Sequence, residues 1–245
     1  MIKDGVDKKE KIISFLMLGQ SNMAGRGEFK DVEPIDNEKC YMLRMGRWQK
    51  MSEPINPDRA IWGIRFHSGV SLGASFADSF SKEFNCSVGL IPCADGGTTL
   101  SQWMPEELLF DHAVMMASLA KRTSEIGGIL WHQGESDCIN LDSKKYKENF
   151  IKMITKLREE LGDLNLPVII GELSEDISLE WVDEGSVKIL NNTFYEISKE
   201  IKNCIVVSSK GITLKDDNLH FDSKGLREFG IRYFNKYKEL GVFNG

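Results

Sequence analysis

Three residues, Ser21, Asp217 and His220, are of the types and spacing that could carry a covalent hydrolysis. A serine hydroxyl is a weak nucleophile at neutral pH. It needs a base within hydrogen-bond reach and a third group that holds the base in its productive tautomer. Ser21 follows an apolar run and Gly19-Gln20, so its hydroxyl can project from a tight turn whose next helical residues offer unpaired amide hydrogens. The same position also suits a helix N-cap. His220 is one of four histidines and lies in a polar loop three residues after Asp217, a spacing at which a turn brings the carboxylate to Nδ1. A surface turn before the last helix is the plainer reading of D-x-x-H. Gly96-Gly97 could bring an amide hydrogen to a developing oxyanion, and Gln133 could donate its side-chain amide to the same charge. Glu135 and Asp137 are expected to orient a basic neighbour, Arg26, or to cap a helix, rather than to form an acid/base pair.

Residues so far apart in sequence need a scaffold that gathers them. Short apolar runs at Ile12–Leu18, Ser87–Pro92, Gly128–His132, Pro167–Gly171 and Cys204–Ser208 read as buried strands. Stretches of helical spacing follow at Leu72–Phe84, Glu106–Ser124, Ser143–Leu161, Val187–Ile201 and Lys224–Leu240. Strands apolar on both faces, alternating with helices, predict a three-layer α/β/α sandwich around a mostly parallel, five-stranded sheet. No repeat or linker divides the chain, so residues 1–245 are expected to form a single domain, with Glu28–Ile64 as a long excursion. In such sheets ligands sit beyond the carboxyl ends of the strands. Four segments there stand out: Gly19–Gly27, Cys93–Thr99, His132–Asp137 and Asp217–His220.

The bulk properties narrow the function. Thirty-one basic against 37 acidic residues leave a net charge of −6, so no global positive field gathers nucleic acid or anionic lipid. The first apolar run is too short to span a membrane and no export signal is evident, which predicts a cytoplasmic protein. Five cysteines without C-x-x-C spacing argue against a disulfide framework or a zinc site. The Gly19–Gly27 loop lacks both nucleotide-binding glycine patterns, Met115 and Met116 fit helix packing, and no cofactor or metal is expected. His67, His112 and His132 read as structural. Trp103, ahead of Trp48, is the expected sugar-stacking platform.

Four motifs in order carry a family resemblance: G-Q-S-N-M-A-G-R-G at Gly19–Gly27, A-D-G-G-T-T-L…W at Ala94–Trp103, W-H-Q-G-E-S-D at Trp131–Asp137 and D-N-L-H-F at Asp217–Phe221. Together they resemble the sialate O-acetylesterase and acetylxylan-esterase branch of the SGNH (GDSL-like) hydrolases. Two departures stand out. Gln133 replaces the asparagine of the wider superfamily, as is usual in this branch, and Val70 stands where the branch often has proline. The resemblance implies a flavodoxin-like fold and metal-independent removal of acetyl groups from carbohydrate hydroxyls. It implies Ser21 as nucleophile, His220 as base then acid, and Asp217 as its orienting carboxylate. The implied oxyanion hole is the Ser21 amide, the Gly97 amide and the Gln133 side chain. The rival readings are another short-acyl ester or thioester hydrolase and a non-catalytic carbohydrate-binding domain.

Overall fold

The computed structural model describes residues 11–57 and 67–243. Its centre is β1 (Ile12–Gly19), whose alternate side chains enter two different cores. Leu16 and Leu18 face one side of the sheet, while Ile13, Phe15 and Met17 face the other, as the two-residue period of a strand requires. β4 (Val88–Pro92) and β5 (Ser124–His132) flank β1 in parallel, and β6 (Val168–Gly171) and β7 (Cys204–Val207) continue beyond β5. These five strands are the five expected from the apolar runs, in the order β4-β1-β5-β6-β7. That order reverses direction at β1, which makes the carboxyl end of β1 the crevice of the sheet.

Among the described residues the sheet has seven strands rather than five. The excursion after Glu28 contributes a hairpin, β2 (Cys40–Arg44) and β3 (Arg47–Lys50), that adds to the free edge of β4. β3 is the antiparallel edge strand, and its residues R-W-Q-K alternate too weakly in polarity to signal a strand. The end of the excursion, residues 58–64, lies outside the described residues.

Helices α2 (Leu72–Phe84) and α6 (Ser223–Glu239) cover one face, and α3 (Leu108–Ala120), α4 (Ser143–Leu161) and α5 (Ser186–Glu200) cover the other. α4 starts where the Asp142 carboxylate accepts from the Lys145 amide and stops at Gly162 in left-handed conformation, so both ends are set locally. Its buried positions, including Tyr146, Phe150, Met153, Ile154 and Leu157, form one stripe toward the sheet. On α3, Met116 packs against the core while Met115 is exposed. No helix among the described residues is long and apolar enough to cross a membrane.

Candidate active site

Gly19 ends β1 with φ of 131°, and a Cβ there would lie 2.0 Å from the His132 carbonyl oxygen, so only glycine lets the ends of β1 and β5 meet. The Gln20 amide donates to the His132 carbonyl at 2.9 Å, and the Asp95 amide donates to the Gly19 carbonyl at 2.9 Å. Three strand ends are thus stitched around the next residue, Ser21. It opens α1 (Ser21–Ala24), a single helical turn, with its amide at the first position where no intrahelical partner exists. No side chain caps this turn; the cap position is Gln20, and Ser21 itself is the first helical residue.

The base arrives from the other end of the chain. Asp217 Oδ1 accepts from the Leu219 and His220 amides at 3.0 and 2.9 Å, and its Oδ2 lies 2.8 Å from His220 Nδ1. The turn places His220 Nε2 2.9 Å from Ser21 Oγ, across 199 residues of sequence. Burial would raise the Asp217 carboxyl, but the hydrogen bonds from the His220 amide and ring and the Leu219 amide outweigh it and hold it below its ordinary value. An acceptor-only carboxylate at Nδ1 puts the ring hydrogen there and leaves Nε2 able to accept the serine proton.

Ser21 and His220 open into a cleft of about 270 Å³ bounded by Gln20, Arg26, Gly96, Gly97, Ser136, Ile139, Trp181 and Leu219. A larger hollow of about 640 Å³, between Phe29, Ile35, Met51 and Arg227, contains none of the three residues. Among the described residues, the Gly96 and Gly97 amides make no hydrogen bond, which leaves both available at the cleft wall. Gly97 has φ of 72°, and open space surrounds its α-carbon. A Cβ on Gly96 would instead lie 2.8 Å from Arg26 Nη2.

Gln133 does not take the position expected of it. It is wholly buried, and its Nε2 hydrogens go to the Thr98 carbonyl at 2.8 Å and the Asp137 carboxylate at 2.5 Å, while Oε1 accepts from the Tyr146 hydroxyl at 2.9 Å. A buried amide must satisfy its polar atoms, and these neighbours consume them, so none is left for an oxyanion. Gln133 Nε2 and the Gly134 amide also approach Gln20 Oε1 at 3.4 and 3.5 Å. That turns the Gln20 carboxamide so that its oxygen faces inward. Its nitrogen makes no hydrogen bond among the described residues, and Gln20 lines the cleft.

Trp103 also departs from expectation. It is 1% exposed, donates from Nε1 to Thr98 Oγ1 at 3.1 Å and packs edge-on against Trp131, so it has no ring face to offer a sugar. Trp48 is on β3, bonded to Thr123 and away from the cleft. Among the described residues, the tryptophan at the cleft mouth is Trp181, 41% exposed, in the loop after β6. Its position beyond a strand's carboxyl end was the available signal. Glu135 and Asp137 find partners other than Arg26: Glu135 bonds Asn22, and Asp137 bonds Gln133 and the Leu100 amide. Burial raises the Asp137 carboxyl, and the two hydrogen bonds oppose that rise. His132 is structural as expected, with Nε2 3.2 Å from the Glu172 carbonyl. Among the described residues the five cysteines form no disulfide, none lines the cleft, and burial pushes the thiols of Cys40, Cys138 and Cys204 up to about 12. Among the described residues, no three His, Cys, Asp or Glu side chains group to hold a metal ion.

A family model described as carbohydrate esterase, sialic acid-specific acetylesterase, matches residues 11–239. The probable carbohydrate esterase At4g34215 of Arabidopsis thaliana is 29% identical over 244 residues, covering 91% of this chain and 89% of the relative. The crystal structure of that Arabidopsis protein superposes with a TM-score of 0.81 at 27% identity, over 94% of this chain and 98% of its own. NanS, at 14% identity, shares the fold with a TM-score of 0.78 over 95% of this chain and 98% of its own. The carbohydrate acetylesterase XAC1771 from Xanthomonas citri does so at 18% identity with a TM-score of 0.68, over 93% of this chain and 56% of its own. The chain therefore belongs to the sialic acid-specific acetylesterase family of carbohydrate esterases, ester hydrolases on the SGNH fold.

Proposed function

We propose that this protein removes acetyl groups from acetylated sugars through an acetyl-enzyme on Ser21. The observation that carries the reading is the unbroken line Ser21 Oγ, His220 Nε2, His220 Nδ1, Asp217 Oδ2, with contacts of 2.9 and 2.8 Å. As Ser21 attacks the acetyl carbonyl, its proton passes to Nε2, and Asp217 stabilises the imidazolium so formed. The oxyanion meets the Ser21 and Gly97 amides, and the Gln20 carboxamide is the side-chain donor free to join them. The imidazolium then protonates the departing sugar oxygen. In the second half a water gives its proton to His220 as it attacks the acetyl-serine, and His220 returns that proton to Ser21 Oγ as acetate leaves.

The sugar is expected to lie against Trp181, whose exposed ring beside the cleft offers an apolar face with little conformational entropy to lose. The test is acetate release by wild type and Ser21→Ala from matched acetylated xylo-oligosaccharides and O-acetylated sialic acid, with an acyl-chain series as control. Serine-dependent acetate from one of these sugars is the expected result and identifies it. Serine-dependent cleavage of longer acyl esters alone would discard the carbohydrate assignment and keep the triad.

A further inference from the structure

Asn22, the residue after the nucleophile, is 1% exposed and has all of its side-chain hydrogen-bonding groups engaged. Its Nδ2 donates to the Leu219 carbonyl at 3.3 Å, and its Oδ1 accepts from the Phe221 amide at 3.0 Å. These are the peptide groups on either side of His220. The remaining Nδ2 hydrogen goes to Glu135 Oε1 at 2.7 Å. Glu135 is itself 1% exposed, on the short turn that follows β5. One side chain therefore ties the serine turn, the histidine loop and the central sheet together.

The cost of this arrangement argues for a function. Among the described residues, Glu135 Oε2 is buried without a hydrogen-bond partner, and so is His132 Nδ1, which lies 3.6 Å from Glu135 Oε1. Burial lowers the pKa of His132 although the Glu135 charge opposes this, and Nε2 faces the Glu172 carbonyl, so the ring keeps its hydrogen on that side. Asn22 is then the one hydrogen-bond donor to Glu135 among the described residues. A buried carboxylate with a single donor is a poor device for stability, but its charge-assisted bond is short and directional.

We propose that Glu135 and Asn22 are positioning residues for His220: Glu135 fixes the Asn22 amide, and Asn22 sets the distance of Nε2 from Ser21. This rests on reading His220 as the base. The Asp217–His220 turn closes through its own hydrogen bonds, so loss of Asn22 displaces it as a unit and leaves the His–Asp contact intact.

The experiment compares Asn22→Asp, Glu135→Gln, their combination and His220→Ala by kcat, KM, Tm and pH profile. Asn22→Asp keeps the acceptor for Phe221 but loses the donor to the Leu219 carbonyl and sets a carboxylate against Glu135, and kcat falls about 100-fold with KM little changed. Glu135→Gln keeps an oxygen for Asn22 without the charge and loses about tenfold. The combination remakes the bond with donor and acceptor exchanged and recovers about tenfold over Asn22→Asp. The pH profile of Glu135→Gln, which adds no titratable group, keeps its wild-type shape. Recovery of kcat without a matching recovery of Tm separates positioning from a purely structural bond. A combination no better than Asn22→Asp, or wild-type kcat in Asn22→Asp, overturns the inference. Should Asn22→Asp fail to fold, Asn22→Ala replaces it, with kcat about 30-fold down expected and wild-type kcat contradicting. His220→Ala at wild-type kcat would overturn the base reading itself. Its inactivation beside a fully active Asn22 variant confines the failure to the positioning pair.

Discussion

The floor and the rim of the cleft are built on different physical terms. On the floor Ser21 is 6% exposed and Asn22 and Glu135 are 1% exposed, each held by hydrogen bonds to segments far away in sequence. At the rim, Trp181 and Ile139 are 41% and 45% exposed on loops beyond the strand ends. A floor in which the Ser21, Asn22 and His220 side chains are tied by hydrogen bonds to distant segments fixes reaction geometry, and a rim of exposed rings and chains can change its substrate without disturbing that geometry. The two tryptophans Trp103 and Trp181 mark the contrast: one supports the floor from within the core, the other faces the space where a substrate would enter.

The sharpest break of the comparison is on the floor. Ser21→Ala should lower kcat by about 10⁴-fold or more while leaving the fold and Tm near wild type, measured by steady-state acetate release and thermal melting. Wild-type turnover in that variant would remove the floor from the chemistry. Trp103→Ala should act through stability alone, costing about 3–5 kcal/mol from the lost packing and cavity, with KM of the surviving folded enzyme unchanged. Chemical denaturation supplies the first number and kinetics at low temperature the second. A selective rise in KM without loss of stability would return Trp103 to the substrate.

Trp181→Ala is the reciprocal case. KM for a sugar ester should rise about tenfold, with kcat, Tm and hydrolysis of a small aryl acetate nearly unchanged. Equal effects on both substrates would mean that the rim does not read the sugar. The smallest expected effect concerns acid. The Asp217 carboxyl is held below its ordinary value, so its contribution to the turn is complete above the unfolded-chain value and is lost only as pH falls through the lower folded one. Mild acidification should therefore leave Asp217 ionised and its hold on the turn intact. Carboxyl and imidazole NMR titrations beside kcat/KM measure this, and an Asp217 that titrates at or above its ordinary value would contradict it.

Much of this architecture is legible before any coordinates, because the relevant signals are local. The period of α4, its Asp142 cap and Gly162 stop give that helix its bounds, and the apolar runs of β1 and β5–β7 need no tertiary context to be seen. The triad is legible because Asp217 and His220 belong to one turn and Ser21 follows a strand end. The β2–β3 hairpin is not. Its turn uses Met45 and Gly46 at φ of 49° and 75°, and a methionine in left-handed conformation carries none of the usual Asn-Gly signal.

Burial is the other quantity that sequence conceals. Gln133 and Trp103 have suitable chemistry, but Tyr146, Thr98 and Asp137 absorb the first and Trp131 and Thr98 enclose the second. Asn22 is hidden for the same reason, since its partners lie 113 and 197 residues away. Trp181 was within reach of the strand-end rule, applied after β6 as well as after the other strands.

Ester cleavage through Ser21 leaves a covalent signature. The most direct measurement is titration with a fluorophosphonate, followed by mass spectrometry of the modified peptide and assay of residual acetate release. One adduct per chain is expected, on Ser21, with activity lost in proportion and no adduct on His220→Ala at comparable times. An adduct on another residue, or full activity after Ser21 is modified, would contradict it.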